Sequence, residues 1–373
     1  MMRWLRHLLY LLTLAAFRLT PRRKRRGYRL TILKLDRLGD AVLSLGAVRL
    51  LIKEFGDQAT LLIVSPVAEP LFRREFPTVE LLVMPPFCAR FWPDFVLTMV
   101  RHAAVLRAIS TDRLVCLRHQ PSDYLHAIAR MTEAKSVHAC KWVKPWERVC
   151  LTFPRCRPIP YPERATDDCL ELAAHRLVVA SVLGRPVGLD EVRPFLAADS
   201  LDTNGSLLVC PAAGSEIRQY PPPQLAAAIG LFLQSVPSIS VRFCLPPEMS
   251  RQPWEQALRE AGIVRVTWHH PEGVNELIQA MGEARLVLAP DSAPAHLATA
   301  LNKPGVFLLG GGHFGMFAPW RRSPQQVWLN HQLDCYQCRW NCIQSEPFCI
   351  THIQPVTIAD ALLGVYQAST QSC

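Results

Sequence analysis

A chain of 373 residues exceeds what one hydrophobic core normally supports, so two domains are expected. Hydrophobic residues make up 50% and charged residues 19%, which excludes a disordered chain. The formal charge of +10 is local: Arg3, Arg6, Arg18, Arg22, Arg23, Lys24, Arg25 and Arg26 precede the body with no acid among them. The remainder is close to neutral and calls for no nucleic-acid partner.

Residues 1–27 combine that charge with an apolar run at 8–17. A transmembrane helix needs roughly 20 apolar residues, so the run is too short to span a bilayer. It resembles the h-region of a signal peptide. However, no small-x-small site follows, and the basic cluster at 22–26 lies on the wrong side for export. A helix lying in the membrane interface, its basic run against anionic lipid, fits the pattern. A solvated basic leader and an uncleaved signal are the alternatives.

The body alternates short apolar runs with helical periodicity. A strand at 29–35 leads through Gly39 to a helix over 41–55. Strands follow at 59–64, 79–84, 113–117 and 136–139, with helices at 67–76, 95–109 and 124–131. Residues 141–166, rich in Pro, Arg and aromatics, read as a long irregular excursion. A helix over 167–183 closes an N-terminal domain of residues 28–185, and Pro186, Gly188, Pro194 and Gly205 mark a linker over 186–205. A C-terminal domain over 206–355 repeats the rhythm, with strands at 207–211, 240–245, 263–267, 284–289 and 305–309. Its helices are at 224–234, 253–261, 274–281 and 293–300, and a helix and tail occupy 356–373. This predicts an α/β protein of two Rossmann-like, doubly wound domains facing across a cleft, where open sheets bind ligands.

Of the 13 cysteines, Cys88, Cys116, Cys140, Cys150, Cys156, Cys169, Cys210, Cys244 and Cys373 are scattered and read as reduced thiols of a cytoplasmic protein. Cys335, Cys338, Cys342 and Cys349 are clustered. Four thiols so close suit a structural zinc, an iron–sulfur cluster or two disulfides. Nothing nearby supplies the open position and base of a catalytic metal.

Three loops carry polar chemistry. After the first strand, Asp40 starts the next helix, with Lys34 and Arg37 adding positive charge; a single glycine there excludes a dinucleotide fingerprint. Asp40 is either a helix cap or a general base. The second loop holds Gly214, Ser215 and Arg218, offering backbone N–H groups and a guanidinium to a diphosphate. In the third, a strand ends at Pro290 and Asp291, and the small residues Ser292, Ala293 and Ala295 open a helix containing His296. That is a phosphate seat, or an ordinary connection capped by Asp291 or Ser292. His313, in the Gly310–Gly312 loop, reads as a hinge-loop residue or a donor contact.

The segments at 34–40, 214–221 and 291–298, with the glycine loop and the cysteine cluster, resemble glycosyltransferase family 9, the ADP-heptose:lipopolysaccharide heptosyltransferases, over about residues 28–365. The resemblance implies a GT-B fold and inverting transfer of heptose from ADP-heptose to a lipopolysaccharide core sugar. It implies Asp40 as the base that deprotonates the acceptor, with Lys34 beside it. Arg218 stands where members often carry a lysine that stabilises the departing diphosphate. Asp291, Ser292, Ala293 and His296 match the segment lining the nucleotide-sugar site, and Glu248 matches an acid on the adenosine ribose. Arg218, Tyr220 and Ala293 depart from the usual Lys, Trp and Gly, which bears on donor identity.

No Asp-x-Asp pair is present to hold a divalent cation, so a metal-independent reaction without a required cofactor is expected. Partners implied are a nucleotide sugar, a lipid-linked oligosaccharide acceptor and the inner-membrane surface. The expected location is cytoplasmic, peripheral at the inner face of the cytoplasmic membrane. A catalytically inactive GT-B assembly protein, a transferase using another nucleotide sugar, and a thiol–metal protein built on the cysteine cluster are the competing readings.

Overall fold

A computed structural model describes residues 26–85, 92–119, 124–140, 156–159, 169–197, 205–321 and 323–371. The expectations for the leader before residue 26 and for residues 141–155 lie outside these. Two compact units result, one from residues up to 159 with 170–193, the other from 194 onward with Cys169.

The first unit is a six-stranded sheet of order β3-β2-β1-β4-β5-β6. Its strands are β1 (Arg26–Lys34), β2 (Thr60–Val64), β3 (Glu80–Val83), β4 (Ile109–Cys116), β5 (Ser136–Cys140) and β6 (Cys156–Ile159), all paired in parallel. All of β2, Thr-Leu-Leu-Ile-Val, is buried, as a parallel strand covered on both faces requires. Crossovers are α1 (Leu38–Phe55), α2 (Glu69–Glu75), α3 (Trp92–Arg107) and α4 (Tyr124–Met131); α5 (Leu170–Leu183) and α6 (Leu189–Val192) follow the last strand. Helix α1 stops at Gly56, whose φ of 87° suits only glycine and whose N–H closes onto Ile52 O.

Two expectations are corrected here. Residues 156–159 are a strand, not irregular chain. Arg157 and Pro158 obscure the alternation, but β6 is an edge strand, where Pro is tolerated because one row of N–H groups has no ladder to join. The presumed linker contains α6, which packs on α1 so closely that a Cβ on Gly46 would stand 2.3 Å from Val192 O and 2.4 Å from Arg193 O. Gly46→Ala is therefore expected to cost about 1–3 kcal/mol through overpacking against backbone. A denaturant midpoint equal to that of the wild type would contradict this packing.

The second unit has the order β12-β11-β10-β7-β8-β9, again parallel. Its strands are β7 (Leu207–Val209), β8 (Val241–Cys244), β9 (Val266–His269), β10 (Leu286–Pro290), β11 (Gly305–Leu308) and β12 (Gln326–Leu329). Helices α7 (Pro222–Ser235), α8 (Gln252–Glu260), α9 (Val274–Glu283) and α10 (Ala293–Ala300) connect them, followed by α11 (Phe348–Thr351) and α12 (Pro355–Gln371). Strand β12 was not expected from its sequence; its buried Gln326 donates to Lys303 O at 3.1 Å. Helix α12 belongs to this core: Ile358, Leu362 and Val365 are buried, and Tyr366 meets Phe232 of α7 edge-on.

Strand order reverses between β1 and β4 in the first sheet and between β7 and β10 in the second. Loops leaving the carboxyl ends of such strand pairs splay apart and form the ligand crevice of an open α/β sheet. The three polar loops leave from these strands.

Candidate functional site

In the first unit, Lys34 ends β1 and is 1% exposed. Its Nζ donates to Leu117 O at 2.7 Å and lies 3.1 Å from both Glu171 Oε1 and Asp36 Oδ2. Glu171, on α5 and equally buried, accepts the His119 N–H at 3.0 Å and bonds the His119 ring. His175, one turn further along α5, brings Nε2 to 3.4 Å from Glu171 and to 3.0 Å from Leu117 O. Arg118 Nε reaches Asp36 at 2.8 Å. Two buried carboxylates thus face two cations, the balance that makes burying charge tolerable.

Burial works against the Lys34 ammonium, but Asp36, Glu171 and Asp40 outweigh it and hold its pKa above the ordinary lysine value. Burial likewise works against ionised Glu171, yet Lys34 and the hydrogen bonds from His119 and His175 keep it well below the usual range. Burial lowers the pKa of His175.

Asp40 is the fifth charge. It occupies the third position of α1, with Arg37 at the cap position and no side-chain cap bond, so it is not the helix cap. It keeps partial solvent contact, yet desolvation and then the charge of Asp36 push its carboxyl up to about 7, despite Lys34 pulling the other way. A carboxyl with that pKa is suited to take a proton near neutrality. Lys34, itself buried, acts on Asp40 through its charge.

In the second unit, the loop after β7 passes through the exposed Gly214 and Ser215 into a single turn of 3-10 helix, Glu216–Arg218. Arg218, half-buried, bonds Ser215 Oγ at 3.3 Å and Asp291 O at 3.2 Å, tying this loop to the one after β10. Asp291, Ser292 and His296 are buried, and Ala293 is half-buried. Burial pushes the Asp291 carboxyl up to about 6 against the pull of Arg218, and burial with Arg218 pushes His296 down to about 4. Trp320 Nε1 donates to His296 Nδ1 at 3.0 Å. The neutral ring therefore carries its proton on Nε2, 4.0 Å from Asp291 Oδ1.

The phosphate seat at the start of α10 is thinner than the sequence suggests. Pro294 has no N–H, and the Ala295 N–H closes onto Ser292 O at 3.1 Å. Ser292 Oγ turns back to Pro290 O. The guanidinium of Arg218 supplies positive charge between the two loops. Glu248 is exposed in the turn after β8, the strand beside β7.

The glycine loop and the cysteine segment form one assembly. A Cβ on Gly311 would stand 2.3 Å from Tyr336, and one on Gly312 2.4 Å from Trp340. Gln337 and Arg339 bond Gly311 O and Gly312 O, and Trp340 Nε1 donates to His313 at 3.1 Å. Cys335, Cys338, Cys342 and Cys349 are free thiols lining one small cavity with Gly311, Tyr336 and Trp340. They share a cavity, but among the described residues no three ligating side chains are placed to hold a metal ion.

Asp36, Arg118, His119, Glu171 and His175 were missed by sequence reasoning. One signal was available: Glu171 and His175 are polar groups one turn apart on a largely apolar helix, Leu-Glu-Leu-Ala-Ala-His-Arg-Leu-Val-Val.

The profile of glycosyltransferase family 9 (heptosyltransferase) matches residues 157–344. No curated protein matches the chain. Among solved structures, ADP-heptose lps heptosyltransferase II of E. coli has a TM-score of 0.66 at 15% identity, covering 92% of this chain and 99% of its own. A glycosyl transferase family 9 protein from Veillonella parvula DSM 2008 has a TM-score of 0.64 at 14% identity, with 93% and 98% covered. The E. coli heptosyltransferase WaaC, solved with ADP-2-deoxy-2-fluoro heptose, has a TM-score of 0.59 at 17% identity, with 92% and 100% covered.

Proposed function

The chain belongs to glycosyltransferase family 9, and from that premise we propose that it is an inverting heptosyltransferase using ADP-heptose and a lipopolysaccharide core acceptor. Asp40 takes the proton of the acceptor hydroxyl, whose oxygen attacks the anomeric carbon. The bond from that carbon to the diphosphate oxygen breaks, and ADP leaves with the negative charge. Arg218 stabilises that charge, and Ser215, Ala293 and Glu248 border the donor. Burial and the charge of Asp36 set the protonation of Asp40, with Lys34 lowering its pKa and Glu171 raising it. The basic leader holds the enzyme at the inner face of the cytoplasmic membrane, where a lipid-linked acceptor is found.

One observation carries this reading: Arg218 joins the loops after β7 and β10, at the strand-order reversal where open sheets bind nucleotides. A thermal-shift panel tests it. ADP and ADP-heptose are expected to raise the melting temperature, UDP and GDP to leave it unchanged, and Arg218→Met to abolish the response. Stabilisation by UDP or GDP alone would assign another donor. No response to any nucleotide would leave an inactive assembly protein as the better reading.

A further inference from the structure

The described chain contains no helix long and apolar enough to cross a membrane, yet one helix turns apolar residues outward. On α3, Met99, Ala103 and Leu106 are buried in the core with Leu125, Ile128 and Ala129 of α4. The opposite face exposes Leu97 at 49%, Val100 at 54% and Val105 at 46%, with exposed Ala104 and Arg101 among them. Single exposed apolar residues need no explanation, but three on one helix face form a stripe. Asp94 stands in the first turn, and no acid follows it from 95 to 108, where Arg101 and Arg107 lie.

The start of the described chain says what covers this stripe. Arg26 N donates to Ala108 O at 2.7 Å, and Arg26 pairs with Ile109, so the described chain begins beside the C-terminal end of α3, with 25 residues before it. Those residues carry the apolar run at 8–17 and seven Arg or Lys with no acid. Folding them onto α3 would set basic residues against the exposed Arg101. An anionic bilayer accepts both apolar surfaces and neutralises both sets of charge. A single weak anchor gives only marginal attachment, so two adjacent contacts are physically useful.

We propose that the Leu97–Val100–Val105 face of α3 is a membrane-contact surface that seats on anionic lipid alongside the N-terminal leader. It fixes how the first unit meets the bilayer and is independent of the sugar donor.

The test uses the full chain with a benzoylphenylalanine photoprobe in place of Val100, illuminated with phosphatidylglycerol–phosphatidylethanolamine vesicles. The expected product is a lipid adduct. A crosslink to a leader peptide, a crosslink to a second copy, or no adduct would each overturn the proposal. In parallel, Leu97→Gln/Val100→Gln/Val105→Gln in the full chain is expected to bind these vesicles about tenfold more weakly. Its melting temperature should match that of the wild type, showing that it is folded. Vesicle binding equal to that of the wild type would also overturn the proposal. The nucleotide panel reads the donor site separately, so failure here leaves the transferase reading intact.

Discussion

Asp40→Asn is expected to lower turnover by about 10²–10⁴-fold while leaving nucleotide affinity unchanged, since it removes the group that accepts the acceptor proton. The pH dependence gives a sharper signature. With its carboxyl pushed up to about 7 by burial and by Asp36, the wild type should gain kcat/KM as pH rises through about 7. The variant should show no such limb. Stability should move the opposite way. A carboxyl whose native pKa is raised holds its proton more tightly folded than unfolded, so ionising it costs stability. That cost grows as pH rises from about 4, the unfolded value, to about 7. Asp40→Asn should therefore be more stable than the wild type at pH 8 and equal to it near pH 4. Unchanged activity in this variant would remove Asp40 from the mechanism.

Loss of Glu171 should have the largest effect on folding. Glu171→Leu leaves Lys34 buried with Asp36 as its remaining close carboxylate, and breaking a buried pair costs about 3–5 kcal/mol. Lys34→Met should cost a similar amount, and the double variant less than the two costs added, because each partner is expensive mainly when left alone. Denaturant unfolding of the four proteins closes that cycle; simple additivity would contradict the pairing. The native pKa of Glu171 is depressed, so its stabilisation is present above about pH 4.3, its unfolded value, and is lost as pH falls through the native value. Glu171→Gln adds a readout that a purely structural role would not move. The Glu171 charge raises the Asp40 pKa, so its removal should shift the acid limb of kcat/KM to lower pH.

These expectations rest on parts of the molecule that differ in legibility. The alternation of strands and helices could be read because parallel strands buried on both faces are short continuous apolar runs, as in β2 and β10. The loops at Asp40, Arg218 and Asp291 could be placed because each follows such a run directly. Edge strands β6 and β12 could not, since Pro158 in one and Gln326 in the other break the apolar run where an edge permits it.

The sequence by itself determined the α/β class, the two-unit organisation and the segments that carry polar chemistry, because these follow from local periodicity and from residue types a few positions apart. Tertiary structure alone decided which charges meet. Lys34 and Glu171 are 137 positions apart in the chain and 3.1 Å apart in space. Burial and the charge of Asp36, modulated by that approach and by Arg118, set whether Asp40 holds its proton near neutral pH. Strand order, likewise invisible in the chain, brings Arg218 to Asp291 and makes two separate loops one crevice. Coulomb energy depends on distance and on exclusion of water, and folding supplies both.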